Sequence, residues 1–283
     1  MTGPVPVHLR DLTLEWGRRT YIMGVLNVTP DSFSGDGIMD VPAAVARARQ
    51  MLAEGADIID VGGESTRPGA QPVPLDEELR RVIPAVEALA GELGAVVSVD
   101  TMKSEVARRA LRAGAAMVND VSALRADPDM AGVVAELQAP VVLMHGYGAA
   151  MSPSALAARV MPEVLEFLEE RIESAVASGV ARERILVDPG FGFGKTVQQN
   201  LEIIRRLREL RVLQLPVVIG PSRKGTIGRV LGGLPVQERV EGTAAAVVVS
   251  ILNGADVIRV HDVHVLARVA RMTDAIIRPE QGE

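Results

Sequence analysis

The 283-residue sequence has no cysteine, which excludes disulfides, thiolate catalysis and cysteine-based metal sites. Lysine and asparagine are scarce. Only Lys103, Lys195 and Lys224 stand among 30 basic side chains, and only Asn27, Asn119, Asn200 and Asn253 carry the short amide. Against that background each invites a reason; for Lys103, Lys195, Asn200 and Asn253 the reading is chance. The shortage of Cys and Asn beside abundant Arg fits a heat-adapted source. A broad basic face is also missing: the net charge is −6 and the pI near 5.4, which argues against a nucleic-acid binder but leaves room for a small anion pocket. No apolar run is long enough for a membrane span. The longest uncharged stretch, Leu137 to Ala158, holds two prolines, a histidine and glycines. The opening MTGPVPVHLRDL lacks the basic start and apolar core of a leader, so a soluble cytoplasmic protein is expected.

What is present is 48% hydrophobic and 23% charged, enough for a sizeable core under a solvated surface. Short apolar runs recur at 21–26, 57–61, 95–99, 116–118, 140–144, 184–187, 216–219 and 256–260. Each is rich in Val, Ile and Leu, like strands covered on both faces in a parallel sheet. Between them, Val41–Ala53, Asp76–Ala90, Glu105–Arg112, Ala155–Ser178, Gln198–Leu210 and Val263–Ile277 show helical spacing. At Gly55, Gly114 and Gly254 a glycine ends a helical pattern and a strand begins at once. Eight β units alternating with helices predict a single α/β domain over residues 1–283, a (β/α)8 TIM barrel, with an open doubly wound sheet as the alternative. Val7–Glu15 alternates and then turns at Gly17, which predicts a short N-terminal β-hairpin closing the barrel bottom.

Barrel enzymes place their chemistry at the carboxyl ends of the strands. Here those ends carry, in order, Asn27; Glu64, Ser65, Thr66 and Arg67; Asp100; Asn119 and Asp120; His145; Asp188; Ser222, Arg223 and Lys224; and Arg259, His261 and Asp262. Singly, an Asp, Asn, Ser or Thr after a strand is a helix cap. Polar residues at all eight ends, with Arg, Lys and His among them, exceed what capping explains. GPSRKG at the seventh end opens a helix, where N–H groups and the dipole favour an anion. Asp100, Asn119 and Asp188 suit a flat heterocycle bearing several N–H groups, since buried carboxylates need donors; equally, they could be tied to neighbouring backbone or to Lys224 and Arg259. Residues 28–37 and 63–69 have the composition of loops that close over a ligand, and Phe33 would either cover an aromatic substrate or pack its loop down. DPGFGFGKT imitates a Walker loop but leaves three residues, not four, between Gly190 and Gly194-Lys195; Lys195 is expected to be exposed there. His8 and His264 have no partner at metal-ligand spacing, and no HExxH-type zinc site exists.

Together MGVLNVTPDSFS (23–34), DVGGESTRPGA (60–70), SVDT (98–101), NDVS (119–122), LMH (143–145), DPGFGFGKT (188–196), GPSRK (220–224) and RVHDV (259–263) resemble, in family order, dihydropteroate synthase, a pterin-binding enzyme family. The resemblance runs from about Tyr21 to Asp274. It implies a transferase of folate biosynthesis that joins 6-hydroxymethyl-7,8-dihydropterin diphosphate to p-aminobenzoate and releases pyrophosphate. It also implies that Asp100, Asn119, Met144, Asp188 and Lys224 bind the pterin, with Arg259 stacked on its face. Asn27 would hold Mg2+ against the diphosphate, and Thr66, Arg259 and His261 the phosphates. Phe33, Thr66, Arg67, Pro68, Ser222 and Lys224 would shape the p-aminobenzoate site. Asp100, Asp188, Lys224 and Arg259 would carry the catalysis. Sulfonamides are the implied inhibitors and a homodimer the implied assembly.

The sequence departs from the family pattern twice. The first loop reads SFSGDG in place of SFSDGG, moving the acid to Asp36, and GYGAAMSPS follows His145 where a Gln-Gly-x-Pro-like run is usual. Rival readings are a methyltetrahydrofolate-binding methyltransferase domain, a non-catalytic pterin-binding paralogue and a Lys224 Schiff-base aldolase.

Overall fold

The computed structural model describes residues 4–29, 40–65, 70–146 and 159–278. Eight parallel strands form one sheet: β3 (Tyr21–Asn27), β4 (Ile58–Gly62), β5 (Val97–Asp100), β6 (Met117–Asp120), β7 (Val141–Met144), β8 (Ile185–Asp188), β9 (Val218–Ile219) and β10 (Val257–Val260). Their order runs β8-β7-β6-β5-β4-β3-β10-β9, and a parallel bridge between Val187 and Val217 brings the two ends together. The result is the TIM barrel that the run of apolar segments predicts. Helices α1 (Val41–Glu54), α2 (Leu75–Glu92), α3 (Ser104–Arg112), α4 (Met130–Glu136), α5 (Val160–Ala177), α6 (Val197–Arg206), α7 (Gly225–Val230), α8 (Val240–Leu252) and α9 (Val263–Ile277) surround it. Gly55, Gly114 and Gly254 adopt φ of 108°, 111° and 97°, the left-handed bend that releases a helix into the next strand. α8, VEGTAAAVVVSIL, is apolar around most of its circumference, so no amphipathic stripe marked it in the sequence.

Strand alternation sorts the barrel into layers. Ile22, Ile59, Val61, Val97, Val99, Val118, Val141, Leu143, Ile185 and Ile258 pack outward under the helices. Tyr21, Met23, Ile58, Val96, Met117, Val142, Leu186, Val218 and Val257 fill the lower interior together with Val7, Leu9 and Leu14. Those last three belong to the antiparallel hairpin of β1 (Val7–Leu9) and β2 (Leu12–Leu14), which plugs the bottom of the barrel as expected. The hairpin reverses at Arg10–Asp11, where Arg10 takes φ 53°; the turn at Gly17 comes after it and leads into β3. Counting upward by twos from the apolar layer gives the same parity to Asp60, Ser98 and Arg259, and above them to Asn27, Gly62, Asp100, Asn119, Met144 and Asp188. The alternation that builds the core therefore turns the polar strand ends toward one mouth.

Candidate active site

Register aligns Asn27 with Gly62, Gly62 with Asp100, and Asp100 with Asn119, so these residues share one rung of the rim. Gly62 adds no side chain to that rung, and a Cβ there would sit in ordinary contact, 3.7 Å from the Asn27 amide oxygen and 3.8 Å from Asp100 Oδ2. Met144 is paired with Asp188 across β7 and β8. Asp100, Asn119, Met144 and Asp188 are all buried.

Arg259 reaches across the mouth. Its Nε donates to Asp60 Oδ2 and its Nη2 to Asp100 Oδ2, each at 2.6 Å, and Asn119 Nδ2 donates to the same Asp60 oxygen at 3.2 Å. One guanidinium thus serves two buried carboxylates. The other oxygens, Asp60 Oδ1 and Asp100 Oδ1, have no hydrogen-bond partner among the described residues. An unmatched buried acceptor costs free energy until a donor arrives. Burial pushes the Asp100 carboxyl up to about 7, against the pull of Arg259. For Arg259 burial acts downward, but Asp60 and Asp100 outweigh it and hold the guanidinium charged. Asp188 rises to about 6 by burial, opposed by the Gly190 N–H at 2.6 Å and by Lys224, Lys195 and Arg259. The Lys224 ammonium lies 3.9 Å from the centroid of the Phe193 ring.

The ends of β9 and β10 are tied together. Ser222 Oγ accepts the His261 backbone N–H at 3.1 Å and lies 3.1 Å from its Nδ1, tying the two strand ends. Arg223, at φ 59°, forms a two-bonded ion pair with Asp262. Some strand-end residues do serve only local structure. Asp120 accepts the N–H groups of Ser122 and Leu124, and His145 is buried edge-on against Phe167. Burial lowers His145 to about 3, so it is neutral.

Two expectations are corrected. Lys195 is buried, because three carbonyl oxygens converge on it: His145 at 3.0 Å, Gly190 at 2.9 Å and Phe193 at 3.1 Å. Nor are the other scarce residues accidental. Lys103 joins Glu64 and Glu78, Asn253 donates to the carbonyls of Ile204 and Arg205, and buried Asn200 bonds both sides of its loop. Two residues were passed over. Asp60 stands inside the apolar run DIIDV, and a charge inside a strand covered on both faces was the available signal. Phe193 lies within DPGFGFGKT, where nothing local sets it apart. Phe33, Thr66, Arg67, Pro68 and Asp36 fall outside the described residues.

Residues 23–261 match the family of pterin binding enzymes. The chain belongs to the dihydropteroate synthase family. It is 46% identical to the dihydropteroate synthase of Bacillus subtilis, over 96% of this chain and 93% of that protein. The Synechocystis enzyme is 44% identical, over 97% and 96%. Among solved structures, dihydropteroate synthase of Xanthomonas albilineans with 4-aminobenzoic acid superposes with a TM-score of 0.88 at 43% identity, covering 98% of this chain and 99% of that one. The Yersinia pestis enzyme in a sulfonamide drug complex gives 0.90 at 40% identity, covering 96% and 99%. The methyltransferase, non-catalytic and aldolase readings thereby lose to the family reading. Among the described residues no helix is long and apolar enough to cross a membrane.

Proposed function

We propose that the barrel mouth binds 6-hydroxymethyl-7,8-dihydropterin diphosphate and p-aminobenzoate and joins them into 7,8-dihydropteroate and pyrophosphate. The observation that carries this reading is the pair of acceptors without a partner among the described residues, Asp60 Oδ1 and Asp100 Oδ1, with Asn119 donating to the same Asp60 carboxylate. A pterin presents ring N–H and amino donors together with acceptors, and the slot offers carboxylates, an amide and an ammonium in return. Asp100, Asn119, Asp188 and Lys224 grip the bicyclic edge, Met144 lines the slot beside Asp188, and Arg259 lies against the ring face, held in place by Asp60 and Asp100. His261 and Arg259, with Thr66, receive the diphosphate. Ser222, Lys224, Phe33, Thr66, Arg67 and Pro68 form the p-aminobenzoate side.

Mg2+ suits this donor set only as a companion of the substrate. Among the described residues no three His, Asp or Glu side chains gather as a metal cage, whereas Asn27 offers one neutral oxygen at the rim. Asn27 would hold the ion against the diphosphate oxygens, where it would spread the charge of the departing pyrophosphate.

The carbon–oxygen bond to the diphosphate breaks first, and its electrons leave with pyrophosphate. The methylene carbon becomes cationic, and Asp100 and Asp188 stabilise the electron-poor pterin. The aromatic amine then attacks that carbon and releases one proton to the phosphate oxygens or water. A dissociative path needs no strong base at the amine. Sulfonamides would compete with p-aminobenzoate for the same side. The outer faces of α8 and α9 expose Val249, Leu252, Met272 and Ile276, an apolar surface suited to a second copy of this chain, which light scattering would test. The deciding assay measures pyrophosphate with both substrates and with each omitted. Dihydropteroate and pyrophosphate formed together when both substrates are present support the reading; none with both present overturns it.

A further inference from the structure

We propose that Lys195 and Asn200 are positioning residues that hold the loop of residues 189–196 in the one shape that presents Asp188, Phe193 and Lys224 to the pterin. The ammonium of Lys195 has three N–H donors, and three carbonyls take them: two from the loop itself, Gly190 and Phe193, and one from His145 at the end of the neighbouring β7. A neutral amine would have only two hydrogens for these three acceptors, so the cage favours the charged form even though burial draws Lys195 down to about 7. The packing is tight at the same point. A Cβ on Gly190, at φ 69°, would fall 1.9 Å from the His145 carbonyl oxygen. A Cβ on Gly192, at φ 85°, would fall 2.8 Å from Lys224 Cδ.

Asn200 braces the opposite side. It is fully buried on α6, accepts the Gly192 N–H at 2.7 Å, and donates to the Thr196 carbonyl at 2.9 Å and to Thr226 Oγ1 at 3.0 Å. Thr226 lies on α7, two residues after Lys224, so Asn200 couples the Phe193 loop to the segment that carries the lysine. The capping box of Thr196 and Gln199 fixes where the loop ends and α6 begins. What results is a loop whose turns are all anchored inside the protein, leaving Gly190 N–H on Asp188 and the Phe193 ring on Lys224. Neither brace needs to touch substrate.

The proposal rests on the pterin-binding reading, which binding of pterin diphosphate to the wild type tests by itself. The brace is tested by Lys195→Met and Asn200→Ala, checked for native circular dichroism and then titrated with pterin diphosphate alone across pH. Both should lose about tenfold to a hundredfold in affinity, the scale of misplacing site groups by about an ångström. Their pH profiles should differ. Asp188 is faced by Lys224, Lys195 and Arg259, so removing the Lys195 charge raises the pH at which binding falls off, while Asn200→Ala leaves that midpoint in place. Wild-type affinity in folded variants, or the same midpoint in Lys195→Met as in the wild type, overturns the proposal. A second measurement needs no variant. With three lysines, 15N-labelled lysine gives three ammonium signals, and Lys195 should show much slower hydrogen exchange than Lys103 or Lys224. Three equally fast signals would refute the cage.

Discussion

The two ends of the barrel use the same residue types to opposite ends. At the bottom, Asp274 accepts from Thr20 N at 2.6 Å, Thr20 Oγ1 at 2.9 Å and Arg278 at 2.6 Å. Asp57 accepts two bonds from Arg19 and one from Ile22 N. Each of these carboxylates is fully engaged by its own chain. At the top, Asp60 and Asp100 share one guanidinium, and each keeps an oxygen without a donor among the described residues. Charge completed internally holds the fold together; charge left incomplete in a buried mouth is complementary to something that comes and goes.

That contrast can be broken most forcefully at Lys224. Lys224→Ala should weaken pterin diphosphate binding by about a hundredfold or more, the scale for truncating one member of a desolvated charge pair, while the melting temperature changes little. Calorimetric titration beside a thermal melt checks it; equal losses in both would erase the distinction between the ends. The mirror experiment is Asp274→Ala, which should cost about 2–4 kcal/mol of stability, from three lost hydrogen bonds to a buried carboxylate, and leave KM for both substrates unchanged. Denaturant unfolding and steady-state kinetics supply the two numbers. A smaller, graded effect comes from pH. Burial raises Asp188 to about 6, and protonation turns one of its two acceptor oxygens into an O–H donor that a pterin N–H cannot meet. Apparent affinity should therefore be full well above pH 6 and fall about tenfold per unit below it, with Asp100, raised to about 7, moving the onset upward. Affinity that stays flat from pH 8 to 5 would remove the carboxylates from the slot.

Legibility in the sequence followed locality. The barrel was readable because each apolar run, each glycine junction and the hairpin announce themselves within a few residues. The rim was readable because Asn27, Asp100, Asn119 and Asp188 stand in the last residues of their strands and Lys224 just beyond its own, where apolar runs give way to polar residues. Asp60 was hidden by lying inside its strand, where only the parity of β4 shows that it faces the same interior as Arg259. Lys195 and Asn200 were misread for a different reason. The carbonyl that buries Lys195 belongs to His145, 50 residues earlier, and the hydroxyl that anchors Asn200 belongs to Thr226, 26 residues later. No local pattern encodes such meetings; they follow from which strands the barrel sets side by side.

The most direct test of the account is titration of pterin diphosphate into Asn119→Ala beside the wild type. Asn119 stands on the rim beside Asp100 and donates to Asp60. The account predicts saturable one-to-one binding to the wild type and a large loss in the variant, with melting unchanged. Equal affinity in the two proteins would contradict it.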